Sequence, residues 1–152
     1  MLIDQDRIRA LIPHAGSMCL LDRVVEWGTD VIVCVATSHR DPANPLRRSG
    51  RLAAVCAVEY AGQAMALHGA LLQTRPGTGR AGYLASVREL TCQVDYLDGC
   101  GPELSVKAWL LMADGPRVIY RFELRDGEQV IVSGHAAVAL DAGRPRPAAR
   151  PG

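Results

Sequence analysis

The sequence has almost no net charge. Its 17 lysines and arginines stand against 16 aspartates and glutamates, a formal charge of +1. No field of either sign is available to steer a nucleic acid or an anionic membrane, so no nucleic-acid partner is expected. The 5 cysteines are odd in number and contain no C-x-x-C pair, which argues against a disulfide framework and against a zinc site. No His, Cys and Asp cluster has metal-ligand spacing. Neither a metal nor a cofactor is expected. The N-terminus, MLIDQDRIRAL, carries acids where a signal peptide needs a basic and then an apolar run, so the reducing cytoplasm is the expected location. Phosphate-binding fingerprints are missing as well: GTGRAG (77–82) follows a helix-like run instead of a strand.

What is present is a chain of 152 residues, 49% of them apolar, enough for one domain around one core. DQDRIRAL (4–11) predicts a short helix capped by Asp4 and ended by Pro13. LLDRVVEWG (20–28) and DVIVCVATS (30–38) predict two strands joined near Gly28. HRDPANPLRRSGR (39–51) is a loop punctuated by two prolines and a glycine. After RPGTGRAG (75–82), four alternating runs follow: 82–97, 103–112, 116–125 and 128–140. Two of their connections are Asp-Gly turns, at 114–115 and 126–127. Within 116–125, Val118, Tyr120, Phe122 and Leu124 fall on one face and Arg121, Glu123 and Arg125 on the other. The Pro/Gly/Arg-rich end (142–152) predicts a disordered tail.

Between these groups of strands lies RLAAVCAVEYAGQAMALHG (51–69), rich in good helix formers and carrying Glu59. The helix is expected over about 52–73, roughly 30 Å long at ~1.5 Å per residue. Apolar residues on every side predict burial all round. That length also matches a membrane span, but Glu59, Gln63 and His68 inside it and strands on both sides favour a core helix. The order predicts an α+β fold in which an antiparallel sheet wraps one buried helix. A carboxyl buried on that helix would favour its neutral form, able to give a proton to a leaving group or to orient water. A hydrogen bond or an arginine would satisfy it structurally instead. Gln63, one turn on, would orient Glu59, bind substrate or pack as a structural amide. His68 lies on the opposite side of the helix and His135 in a strand, both expected as structural groups.

Several segments together resemble the β-hydroxyacyl-acyl-carrier-protein dehydratases. LIPHAGSMCLLDRVVEW (11–27) resembles their opening, in which a Pro-His turn leads into the first strand. AVEYAGQAMALHG (57–69) resembles their central helix, DYLDGCGPELSV (95–106) their inter-strand link and RDGEQVIVSGHAAVAL (125–140) their last hairpin. NPLRRSG (44–50) and EYAGQ (59–63) resemble the divergent branch associated with aryl polyene biosynthesis. The resemblance runs colinearly over about residues 5–140. It implies a hot-dog fold, a curled antiparallel sheet around a central helix, over residues 1–141. It also implies a 3-hydroxyacyl thioester substrate on the phosphopantetheine of an acyl carrier protein, Glu59 as the catalytic acid, and a site at a dimer interface. In the family pattern a catalytic His stands fourteen residues before the helix acid. Here that position is Pro45, beside Asn44. The base would then be His39, His14 or a histidine of a partner chain, and His14 is equally expected to bond backbone near the first strand. Asn44, Gly50 and Gln63 are the candidate substrate-binding residues, Gly50 as the start of a helix whose N–H groups could polarise the thioester carbonyl. Arg47, Arg48 and Arg51 would suit an acidic carrier or a phosphate, or else form a solvated loop. Two other functions fit the same pattern. A hot-dog acyl thioesterase needs only the helix carboxylate, and a non-catalytic subunit needs neither group. A homodimer or a heterodimer with a related dehydratase is expected, with no membrane span.

Overall fold

Two Asp-Gly turns organise the C-terminal half of the molecule. Gly115 and Gly127 adopt φ of 60° and 63°, left-handed values that cost glycine nothing. They reverse the chain between β4 (Leu104–Asp114), β5 (Arg117–Asp126) and β6 (Gln129–Leu140). The computed structural model describes residues 3–12, 18–72 and 82–140. The expectations for His14, for most of the 75–82 loop and for the 142–152 tail lie outside those residues. Six strands form one antiparallel sheet in the order β1-β2-β4-β5-β6-β3, with β1 at Arg23–Trp27, β2 at Val31–Ala36 and β3 at Gly82–Cys92. The predicted alternation on β5 holds on its inner face, where Tyr120, Phe122 and Leu124 are buried; on the outer face Arg121 is exposed but Glu123 is buried, covered by Arg121 and Arg125. Phe122 lies over Gly134 of β6 so closely that a Cβ there would stand 2.9 Å from the ring.

Helix α1 (Gln5–Leu11) is capped by Asp4, which accepts from Arg7 N–H at 3.0 Å. Helix α2 (Ala57–Leu72) crosses the inner face of the sheet and packs on β2, β4 and β5. Its sixteen residues span about 24 Å. It starts later than the predicted Leu52. Leu52 and Ala53 run extended, and this stretch bonds to the segment after β3: Leu97 N–H to Leu52 O at 2.8 Å and Ala54 N–H to Asp95 O at 2.9 Å. A short 3₁₀ turn, Ala54–Cys56, then leads into the helix. The long strand expected over 82–97 likewise stops at Cys92.

The expectation of a helix buried all round is corrected. Tyr60, Ala61, Ala64, Met65, Leu67 and His68 face the core. Glu59 is exposed and Val55 is 57% exposed, with Gly62 and Ala66 half-buried on the same side. Those four positions recur at i, i+4, i+7 and i+11, one continuous stripe. The sheet edges also differ. β1 is bridged by Ile3, which exchanges two backbone hydrogen bonds with Val24. β3 has no described strand on its outer side, and Leu84 and Leu90 on it are exposed. No described helix is long and apolar enough to cross a membrane.

Candidate functional site

The start of α2 meets the loop between β2 and the helix. The loop opens with a 3₁₀ turn, Ser38–Arg40. Ser38 O–H donates to Leu20 O at 2.8 Å, so the Tyr60 hydroxyl, 2.8 Å from Ser38 Oγ, is the donor in that pair. Asn44 Nδ2 donates to Ser38 O at 2.9 Å and to Tyr60 Oη at 3.1 Å, and its Oδ1 accepts from Leu46 N–H at 2.9 Å. The buried Asn44 amide is therefore fully hydrogen-bonded, as a buried polar group must be. Burial raises the Tyr60 hydroxyl above its ordinary value, against the lowering effect of its hydrogen bonds with Ser38 and Asn44. The result is a rigid loop pinned to the first turns of the helix.

Gln63 is held as firmly. Its Oε1 accepts from Leu20 N–H at 2.8 Å and its Nε2 donates to Met18 O at 2.5 Å. The amide thus fixes the segment entering β1 against α2. Gly50 stands seven residues before α2, so the premise of a helix beginning at Gly50 is corrected. Ser49 and Gly50, at φ of 52° and 77°, form a two-residue reversal closed by Arg48 N–H to Arg51 O and Arg51 N–H to Arg48 O, 2.8 and 3.0 Å. Positive φ at both central residues is the type I′ signature.

The predicted basic group divides. Arg47 turns inward and donates to Asp41 O, Gly50 O and His39 O at 2.7–3.1 Å. Arg51 lies 3.8 Å over the Tyr96 ring and pairs with Asp98 at 2.8 Å. Arg48 is left exposed, and with Glu59 it brackets Cys56: burial first, then the Glu59 carboxylate, raises that thiol, and Arg48 lowers it. Glu59 itself takes part in none of the ion pairs among the described residues.

The histidines are engaged elsewhere. His39 is fully buried, with Nε2 2.7 Å from Gly101 O. A carbonyl only accepts, so Nε2 carries the proton. Nδ1 is buried without a partner, and desolvation lowers the imidazole's pKa below 6.5. His68, also fully buried, donates from Nε2 to Gly28 O and accepts the Tyr120 hydroxyl at Nδ1, both at 2.7 Å. Burial lowers His68 and pushes Tyr120 up to about 12. His135 lies on the outer sheet face, 3.3 Å from Glu89. Among the described residues no three His, Cys, Asp or Glu side chains are grouped to hold a metal ion.

The family model for ApeP dehydratases, the ApeP-like family, matches residues 6–143. The chain belongs to the ApeP-like dehydratase family. That bears out its resemblance to the dehydratase branch associated with aryl polyene biosynthesis. Among solved structures, the dehydratase heterocomplex ApeI:P from Xenorhabdus doucetiae is 24% identical at a TM-score of 0.78, covering 92% of this chain and 91% of that one. A thioesterase, HI1161, from Haemophilus influenzae is 12% identical at a TM-score of 0.68, with 95% of each chain covered. A thioesterase family protein from Silicibacter pomeroyi is 14% identical at a TM-score of 0.65, covering 90% and 96%. These likenesses establish the hot-dog fold expected from sequence. No curated protein matches.

In this ApeP-like chain, sequence reasoning missed Tyr60 and Asp98. Tyr60 is the hub that joins Ser38 and Asn44. Asp98 accepts from Leu52 N–H at 3.0 Å and from Arg51, anchoring the chain just before α2. Tyr60 adjoins Glu59 in sequence, and a tyrosine in a run of alanines was the available signal. Asp98 lies 46 residues from Leu52, a separation that no local pattern spans.

Proposed function

We propose that this chain supplies the acid to a dehydratase active site completed by a second, related chain that supplies the base. The substrate is a 3-hydroxyacyl thioester on the phosphopantetheine arm of an acyl carrier protein, handled in the cytoplasm. The base removes a proton from the α-carbon, and Glu59 gives its proton to the departing 3-hydroxyl. The β-carbon–oxygen bond breaks, a 2,3 double bond forms and water leaves. Proton return from base to acid, through solvent, closes the cycle.

The observation that carries this reading is the setting of Glu59. It is a carboxylate in a stripe of small and apolar residues, beside a loop whose Asn44, Pro45 and Leu46 cannot take a proton near neutral pH. His39 is an unsuitable base, because it is buried and its Nε2–H is tied to Gly101. A second copy of this chain repeats the same lack, so a His-bearing relative is the favoured partner. It would cover the open face of α2 and the free edge of β3, burying on the order of 1,600 Å². Coverage would take Glu59 out of bulk water and set it against the partner's base. Asn44, Gln63 and the Gly50 turn act by holding the loop and helix start that frame the substrate.

The test is to assay the purified chain on 3-hydroxyacyl and saturated acyl thioesters, alone and with a His-bearing dehydratase. Enoyl product only in the mixture is expected. Strong dehydration by the chain alone, lost on His39→Ala, would overturn the shared site. Hydrolysis of saturated thioesters by the chain alone would make it a thioesterase. A mixture no faster than the His-bearing enzyme alone, with both chains associated, would make it a non-catalytic subunit.

A further inference from the structure

The loop between β2 and α2 is fastened to the rest of the fold at its first turn. Ser38 O–H donates to Leu20 O, and the buried His39 donates from Nε2 to Gly101 O at 2.7 Å. Gly101 lies 62 residues away along the chain, in the link between β3 and β4. Its own N–H donates to the Asp126 carboxylate, at the end of β5, at 3.1 Å. One imidazole thus joins the loop to the β3–β4 link and, through it, to β5. The rest of the loop hangs on the same turn: Asn44 donates to Ser38 O and Arg47 to His39 O.

The other ring nitrogen is the anomaly. His39 Nδ1 is buried and has no hydrogen-bond partner among the described residues, although buried polar atoms are nearly always paired. A proton placed there would bury a cation whose new N–H has nothing to donate to. The charged groups around the ring do not supply the acceptor. Asp22, ahead of β1, and Asp126 attract a charged ring through space. Each is engaged elsewhere, Asp22 with the Thr37 hydroxyl and Asp126 with Gly101 N–H. Arg40, next in the chain, repels a charged ring, and the Arg47 guanidinium sits on the His39 carbonyl. The Cys100 thiol, beside Gly101 in the chain, is pushed up by burial and stays neutral. We infer that His39 is an acid-released latch: neutral, it closes the loop onto the β3–β4 link, and protonated, it leaves Gly101 for water and lets the loop open. That this loop frames a substrate beside Glu59 rests on the function proposed above. The opening itself does not, and it can be measured without turnover.

Amide hydrogen exchange reads such local opening directly. The reporters are the Asn44, Leu46 and Arg47 amides, which donate to Asp41 O, Asn44 Oδ1 and Asn44 O. An imidazole that titrates at about 6.5 in the open loop, and well below that in the closed one, makes opening about tenfold more frequent at pH 5.5 than at pH 7.5. Protection factors at these amides, corrected for the intrinsic pH dependence of exchange, should therefore fall about tenfold. His39→Gln keeps an N–H for Gly101 and cannot take a proton, so its loop protection should change less than about twofold over the same range. His68→Gln removes the other buried imidazole and should leave the loop's decline in place. If His39→Gln fails to fold by circular dichroism, NMR titration of the wild-type imidazole nitrogens replaces it: His39 protonation and loop opening should share one midpoint. Equal protection at both pH values in the wild type, an equal decline in His39→Gln, a decline abolished by His68→Gln, or separate midpoints would overturn the inference.

Discussion

The two sides of α2 are built on opposite principles. On the core side each polar group is closed off: Tyr60 with Ser38 and Asn44, His68 with Gly28 and Tyr120. On the open side Val55, Glu59, Gly62 and Ala66 are small or apolar apart from one carboxylate. A side closed within the chain contributes to stability, and its groups cannot move or exchange protons without cost. A side left open contributes little to stability and is available to a partner and to chemistry. The difference teaches where to look for function: in the stripe that the fold does not need.

Glu59→Gln should break this contrast furthest on the functional side. In the presence of a His-bearing partner, turnover should fall by roughly 10²–10⁴, the usual worth of general acid–base help. The melting temperature should stay within about 2 °C, since an exposed side chain contributes little to stability. Steady-state assay beside thermal denaturation checks both halves. Val55→Asp comes next. It should weaken association with the partner about 100-fold, because an unpaired charge would have to be buried. It should leave the isolated chain's stability within about 0.5 kcal/mol, measured by sedimentation and urea melting.

The core side should give the reverse result. His68→Ala should cost about 2–4 kcal/mol in urea unfolding, through a cavity and through the lost partners of Tyr120 and Gly28. Mixed-assembly turnover should persist wherever the chain remains folded. Acid should act on the same side. Burial lowers both His39 and His68, so the unfolded chain takes up these protons first. Their contribution to stability is fully present above about pH 6.5 and is lost as pH falls below it. Each histidine sets a slope of at most about 1.4 kcal/mol per pH unit. Urea midpoints from pH 7.5 to 5 should decline, and His68→Gln should flatten the decline.

Much of this fold is legible in the sequence because it is periodic. The alternation at Tyr120, Phe122 and Leu124 and the glycines at 115 and 127 mark the β4–β6 meander directly. The Pro-rich loop and the alanine-rich helix mark the crossover. The helix's open side is not legible in the same way. Alanine and glycine read as buried by composition, and only packing reveals that Gly62 and Ala66 face outward. The start of α2 was misplaced for a related reason. Leu52 and Ala53 have helical propensity, but hydrogen bonds of Leu52 with Leu97 and Asp98 and the bridge of Ala53 to Tyr96 hold them extended. Glu59 stood out because a lone acid in an apolar run needs explaining, whereas the Ser38–Asn44–Tyr60 network depends on how the loop folds back.

The central claim is that Glu59 works across an interface with another chain's histidine. Its most direct measurement pairs this chain with a His-bearing dehydratase whose own helix acid has been replaced by glutamine, so that neither is competent alone. Enoyl-thioester formation by the mixture is then followed on a 3-hydroxyacyl carrier substrate. The account predicts turnover that appears on mixing, tracks the amount of mixed assembly and disappears with Glu59→Gln in this chain. Mixed assemblies that form fully but turn over no faster than the acid-less partner alone, or that keep their activity with Glu59→Gln, would contradict it.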